Sequence, residues 1–194
     1  METMVDNIKK EINVEEKINV EEKINVEEKI NVEKKINVEK KINVGDINNS
    51  DYFQISKINN FIYLGSFDHP SMHSEDFLQY GINVVINCAA EIIYPSTDND
   101  YVIEKFPIID GDSNTFLEFM DKAVDTIVKY LSKGRKIYLH CNRGVSGAPA
   151  ILIYYLMVHK QFSYDKALTL LCKKRPCIKI NSEFENALRL IEEN

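Results

Sequence analysis

The chain has 194 residues and a net charge of −6, with 24 Lys or Arg against 30 Asp or Glu. The charge divides as −3 over residues 1–50 and −3 over residues 51–194, and four Arg stand against twenty Lys. That balance excludes a basic face for nucleic acid. Residues 12–44 repeat the hexapeptide Ile-Asn-Val-Glu-Glu/Lys-Lys, with units starting at Ile12, Ile18, Ile24, Ile30 and Ile36 and a decayed sixth at Ile42. Six residues advance roughly 240° around a helix, so Ile and Val make no stripe on it. The expectation for residues 1–50 is a disordered charged tail; a short stacked solenoid or a multivalent docking segment are the alternatives.

Residues 51–194 carry the foldable pattern. Strands are expected at 54–58, 61–64, 83–87 and 102–107, with a central one at 136–140; helices are expected at 74–80, 116–132, 148–160, 163–174 and 181–193. Within the second helix Met120, Ala123, Val124, Ile127, Val128 and Leu131 recur at helical spacing and define its core-facing stripe. Ser163 is placed to cap the fourth helix, and Gly134 to close the second. Alternating strands and helices imply an α/β sandwich, a central mostly parallel sheet of about five strands flanked by helices.

Cys88, Cys141, Cys172 and Cys177 have no paired spacing, and the four histidines complete no zinc pattern, so neither a metal nor a cofactor is expected. Scattered cysteines and a polar N-terminus are read as an intracellular protein, cytoplasmic or nuclear. Glu2 stands where a myristoylation signal needs glycine, and the longest apolar run, 148–158, is too short to span a bilayer, so no membrane association is expected.

One segment carries chemistry. His140-Cys141-Asn142-Arg143-Gly144-Val145-Ser146-Gly147-Ala148-Pro149 follows an apolar strand and opens an apolar helix. A cysteine there faces aligned backbone N–H groups and the positive end of a helix dipole, which favour a thiolate and cradle a phosphate. The plain alternative for Cys141 is an inert buried thiol. Gly144 permits a tight bend beneath a phosphate.

The segment resembles the His-Cys-x5-Arg-Ser/Thr signature of the cysteine-based protein tyrosine phosphatases. From about Ile55 to Glu193 the chain is similar to their dual-specificity branch: Phe61-Ile62-Tyr63-Leu64-Gly65-Ser66, Tyr80-Gly81-Ile82-Asn83-Val84-Val85-Ile86-Asn87, Phe106-Pro107-Ile108-Ile109-Asp110 and Arg175-Pro176-Cys177-Ile178-Lys179-Ile180-Asn181-Ser182-Glu183-Phe184 occur in the family's order. The resemblance implies Cys141 as nucleophile with His140 before it. It implies Asp110 as general acid, with Asp112 as the alternative and a surface turn as the plain reading. Asn142, Arg143, Gly144, Val145, Ser146 and Gly147 would bind phosphate. Asn181 would help order the loop or simply cap a helix, two readings of equal weight.

The signature departs from the family at two places. Gly147 stands for the arginine and Ala148 for the Ser/Thr. A guanidinium fork holds the equatorial oxygens of a transferring phosphoryl group, which a lysine or an amide does not reproduce. The leading expectation is therefore a catalytically impaired pseudophosphatase that binds a phosphoprotein or signalling partner. The alternatives are a slow phosphatase in which Arg143 or a lysine compensates, and a redox switch pairing Cys88 with Cys141; the oligomeric state is left open.

Overall fold

The computed structural model describes residues 54–68, 74–94 and 101–193. The expectations for the 1–50 tail and its repeat lie outside the described residues. Five strands form one sheet in the order β1-β2-β5-β3-β4, where β1 is Ser56–Lys57, β2 Ile62–Gly65, β3 Val84–Asn87, β4 Val102–Lys105 and β5 Ile137–His140. β1 pairs with β2 antiparallel, and the other pairings are parallel.

The three central strands, Ile-Tyr-Leu-Gly, Val-Val-Ile-Asn and Ile-Tyr-Leu-His, are buried throughout. Uninterrupted apolar runs are what parallel strands covered on both faces require. Alternate side chains sort to the two faces. Leu64, Val84, Ile86, Ile137 and Leu139 join the large core under helices α2 (Ser113–Leu131), α3 (Gly147–Lys160), α4 (Tyr164–Lys174) and α5 (Ser182–Glu192). Tyr63, Val85 and Tyr138 join Phe77 of α1 (Ser74–Tyr80) and Ile82 in a smaller core on the other face. The α/β sandwich with a mostly parallel five-stranded sheet is thus the observed fold.

α3 is the central helix. Every residue from Gly147 to Leu156 is buried, so it is apolar on all sides rather than amphipathic. α2 shows the expected stripe: Ala123, Val124 and Ile127 are buried, while Met120, Val128 and Leu131 pack against the core.

Boundaries differ from the sequence expectation where polar chemistry sets them. α2 begins at Ser113 rather than 116 because Asp112 caps it, its carboxylate accepting from the N–H groups of Asn114 and Thr115. That first turn carries no apolar residue, so periodicity misses it. β4 ends at Lys105 rather than 107, since Pro107 has no N–H to give a ladder. β1 is cut to two residues by a turn in which the Asn59 side chain accepts from Phe61 and Ile62 N–H. Ser163 caps α4 as expected, accepting from Lys166 N–H at 3.2 Å. Among the described residues, no helix is long and apolar enough to cross a membrane.

Candidate functional site

β5 delivers Cys141 to the end of the sheet, and six residues later α3 begins. The loop between them is fixed through its carbonyls. The Cys141 carbonyl accepts from His140 Nδ1 at 3.0 Å and that of Asn142 from Phe67 N–H at 3.0 Å. Arg143 and Gly144 carbonyls accept from Arg175 Nη2 at 2.9 Å and Nε at 2.8 Å. Val145 accepts from Lys179 N–H at 2.9 Å, and Ser146 from Ala150 N–H at 2.8 Å. No peptide bond among these is cis. In a trans peptide the C=O and the following N–H point opposite ways. With six successive carbonyls engaged, the N–H groups of residues 142–147 turn to the other side of the loop, an arrangement suited to holding an anion.

Gly144 makes the bend. Its φ is +66°, and a Cβ there would run into the Gly65 carbonyl, so only glycine fits. Ser146 occupies the N-cap of α3 without capping it by a side-chain hydrogen bond. Its hydroxyl instead accepts from Asn181 N–H at 3.2 Å and Nδ2 at 2.9 Å.

His140 is fully buried on β5. Its Nδ1 faces the Cys141 carbonyl, which can only accept, so the ring proton sits on Nδ1. Nε2 then accepts from the Tyr94 hydroxyl at 2.6 Å. Burial lowers the His140 pKa to about 4, against a smaller upward pull from its bond to the Cys141 carbonyl. Burial likewise pushes the Tyr94 phenol well above its ordinary range, which keeps it a donor. The imidazole is thus a neutral spacer locked at both nitrogens.

A cavity of about 300 Å³ opens at the loop, lined by Cys141, Asn142, Arg143, Val145, Ser146 and Gly147. Cys88, Asp110, Lys179 and Glu91 also line it, with Ala89, Ile108 and Phe184 as apolar wall. Both Cys141 and Cys88 are buried thiols outside any disulfide. Burial, and secondarily the neighbouring Cys141, raise the Cys88 thiol well above its usual pKa. At Gly147, where the sequence reading looks for an arginine, a Cβ would lie 3.4 Å from the Cys88 carbonyl, 3.6 Å from Cys141 Cβ and 4.0 Å from Phe184 Cε2. These are ordinary contacts, so the position has room for a Cβ.

Of the two acid candidates, Asp110 lines the cavity and Asp112 caps α2. Asp110 Oδ1 accepts from Asn181 Nδ2 at 2.6 Å, which links it through Asn181 to Ser146 of the loop. Asn181 meanwhile caps α5 through Oδ1, accepting from Phe184 N–H. Its two sequence readings describe the same residue at once. Arg143 is exposed at the cavity rim.

Three contributors escaped the sequence reading. Arg175 was noticed only as part of a matching segment, yet it is 1% exposed and braces the loop from behind. An arginine followed by a proline just after an amphipathic helix was its only signal. Tyr94 lies in a connection without periodicity, and nothing in the sequence couples it to His140. Lys179 stands in the same matching segment as Arg175, with no role of its own assigned from the sequence. Among the described residues, no group of His, Cys, Asp and Glu is arranged to hold a metal.

Comparison with known proteins follows the same line. A family model described as "Dual specificity phosphatase, catalytic domain" matches residues 62–194. "Protein phosphatase Slingshot" of Drosophila melanogaster is 29% identical over 135 residues, which are 69% of this chain and 12% of the relative. "Dual specificity protein phosphatase 12" of Mus musculus is 29% identical over 114 residues, 58% of this chain and 34% of the relative. The chain thus spans about a third or less of the length of these relatives. Among solved structures, the human tyrosine phosphatase-like serine/threonine/tyrosine-interacting protein superposes with a TM-score of 0.63 at 24% identity, over 72% of this chain and 95% of that one. A leucine rich repeat and phosphatase domain containing protein from Entamoeba histolytica gives a TM-score of 0.64 at 21% identity, over 74% and 93%. At these identities the structures speak for the fold alone.

Proposed function

The chain belongs to the dual specificity phosphatase family, and from that premise we propose that residues 51–194 form a pseudophosphatase domain that binds phosphorylated Ser, Thr or Tyr of an intracellular protein partner and turns it over poorly or not at all. The observation that carries this reading is the loop itself. Its carbonyls are all engaged by outside partners, which leaves the N–H groups of 142–147 and the start of α3 to receive an anion. The phosphate would contact Asn142, Arg143, Gly144, Val145, Ser146 and Gly147 above Cys141.

What the loop lacks is a guanidinium at position 147. Loss of one preorganised oxyanion donor costs about 10²–10³ in turnover, and an arginine finger is worth about 10³–10⁵. Gly147 and Ala148 together therefore remove both the charge over the equatorial oxygens and a hydroxyl beside the thiol. The test is hydrolysis of an aryl phosphate by the full chain, compared with Cys141→Ser and with Gly147→Arg combined with Ala148→Ser. A silent wild type and an active double variant are the expected pair. Wild-type turnover that vanishes in Cys141→Ser would overturn the impaired reading.

That second outcome would establish the slow phosphatase instead. The hydrogen-bonded line from Asp110 through Asn181 to Ser146 favours it, because it holds a carboxyl at the cavity where a leaving oxygen needs a proton. Cys141 would attack phosphorus, the P–O bond to the leaving group would break, and Asp110 would protonate that oxygen. A third reading, a Cys88–Cys141 redox pair, is favoured by two buried thiols lining one cavity. Peroxide would oxidise Cys141 to a sulfenic acid, which the Cys88 thiol would condense with, releasing water. Intact mass after mild peroxide should show loss of two hydrogens, restored by reductant; an unchanged mass removes the idea.

A further inference from the structure

We propose that Lys179 supplies the cationic contact for an anion in the loop, in place of the guanidinium that position 147 does not carry. The inference rests on reading the loop as an oxyanion site and names the side chain that completes it. Lys179 lines the same cavity as Cys141 and Gly147. Its own N–H donates to the Val145 carbonyl at 2.9 Å, so its backbone is fastened directly to the loop. Two residues on, Asn181 fastens the same segment again through Ser146, and Phe184 borders the space beside Gly147. The stem of Lys179 therefore starts from a fixed point next to the vacated volume.

Arg143 lines the same cavity from within the loop, and two further cations nearby are used differently. Lys105 donates to the carbonyls of Ala90 and Ile92 at 3.1 and 2.9 Å. Arg175 donates to the Arg143 and Gly144 carbonyls of the loop and to the Gln54 carbonyl and Ser56 hydroxyl beyond it. Lys179 is exposed, and among the described residues no carboxylate pairs with its ammonium. An ammonium on a four-carbon stem is a mobile point charge and not a planar fork. It neutralises a bound phosphate without clamping two equatorial oxygens in the geometry of transfer. A site built this way holds phosphate and catalyses its transfer poorly, the combination proposed above.

The experiment is calorimetric titration of the full chain with inorganic phosphate at low salt, comparing wild type with Lys179→Gln, Lys179→Arg and Arg143→Gln. A charged donor to an anion is worth enough that Lys179→Gln should weaken phosphate about tenfold or more. Lys179→Arg should bind within about threefold of wild type, and Arg143→Gln should weaken phosphate less than Lys179→Gln does. In a Gly147→Arg background the Lys179→Gln penalty should shrink to about threefold or less, because a guanidinium then takes the same oxygens. Thermal melting of each variant reports the fold separately, and Lys179→Met repeats the charge removal should the glutamine variant melt early. Phosphate binding that is unaffected by Lys179→Gln, or that is lost in Arg143→Gln instead, overturns the role of Lys179 and leaves the loop as the site. A folded wild type that binds no phosphate overturns the anion-binding reading and this inference together.

Discussion

Replacing Arg175 with methionine tests whether the loop is held by its carbonyls. The guanidinium is almost fully buried, and its acceptors among the described residues include the Gly144 carbonyl at 2.8 Å, that of Arg143 at 2.9 Å, that of Gln54 at 2.8 Å and the Ser56 hydroxyl at 3.2 Å. Methionine fills much of the same volume and restores none of these bonds. The buried Gly144 carbonyl then loses its partner, at a cost of about 1–3 kcal/mol, while the more exposed Gln54 and Arg143 carbonyls recover water. Removing the charge also removes its desolvation penalty, which offsets part of the loss. The net expectation is a destabilisation of about 1–3 kcal/mol, a sizeable share of an ordinary domain's stability of about 5–15 kcal/mol. Urea unfolding should show a lower midpoint at unchanged slope. Amide exchange of residues 142–147 should quicken more than that of β5. A midpoint change equivalent to under about 1 kcal/mol, with unaltered loop exchange, would refute the bracing role.

Gly144→Ala should destabilise by more than about 2 kcal/mol, because a left-handed backbone there costs an L-residue about 1–2 kcal/mol before the Gly65 carbonyl is met; an unchanged urea midpoint would count against the bend. His140 is neutral when folded, with a pKa near 4 against 6.5 unfolded, so the unfolded chain binds a proton that the folded chain refuses between those values. Stability is then full above about pH 6.5 and falls as pH drops towards 4, by up to about 3 kcal/mol, and a urea midpoint flat from pH 7 to 5 would contradict it. Tyr94→Phe removes the donor to His140 Nε2 and should cost about 1–2 kcal/mol at pH 7 by the same urea assay; no loss would mean that water serves His140 equally well.

The fold was legible because its signals are local. Buried parallel strands read as short apolar runs, and α3 as a longer one, so each element of the sandwich could be placed from neighbours in the chain. Element edges were misjudged where one polar side chain decides them, as Asp112 does for α2 and Asn59 for β1. The loop was legible for the same reason as the strands, being contiguous. Its supports were not. Arg175 donates to carbonyls 31 and 32 positions earlier, and backbone acceptors leave no trace in the sequence. Asn181 was weighed as a helix cap against a loop anchor, and those readings compete only while one amide is imagined with one partner. Its carbonyl oxygen caps α5 while its nitrogen reaches Ser146 and Asp110.

Which atoms build the loop decides what the loss at position 147 means. The partners of its carbonyls come from Phe67, His140, Arg175, Lys179 and the first turn of α3, and none is a side chain at 147. Shape and charge are therefore separable here: the loop's carbonyl bonds do not depend on a side chain at 147, whereas a guanidinium charge from that position does. The converse holds for restoring it. A Cβ at 147 meets only ordinary contacts, and the position is the first residue of α3, where helical geometry admits any L-residue except at strained φ. The first carbon of a side chain at 147 thus asks neither the loop nor its braces to move. Activity gained by Gly147→Arg would report the return of a positive fork to a finished cradle, and not the repair of a misfolded one.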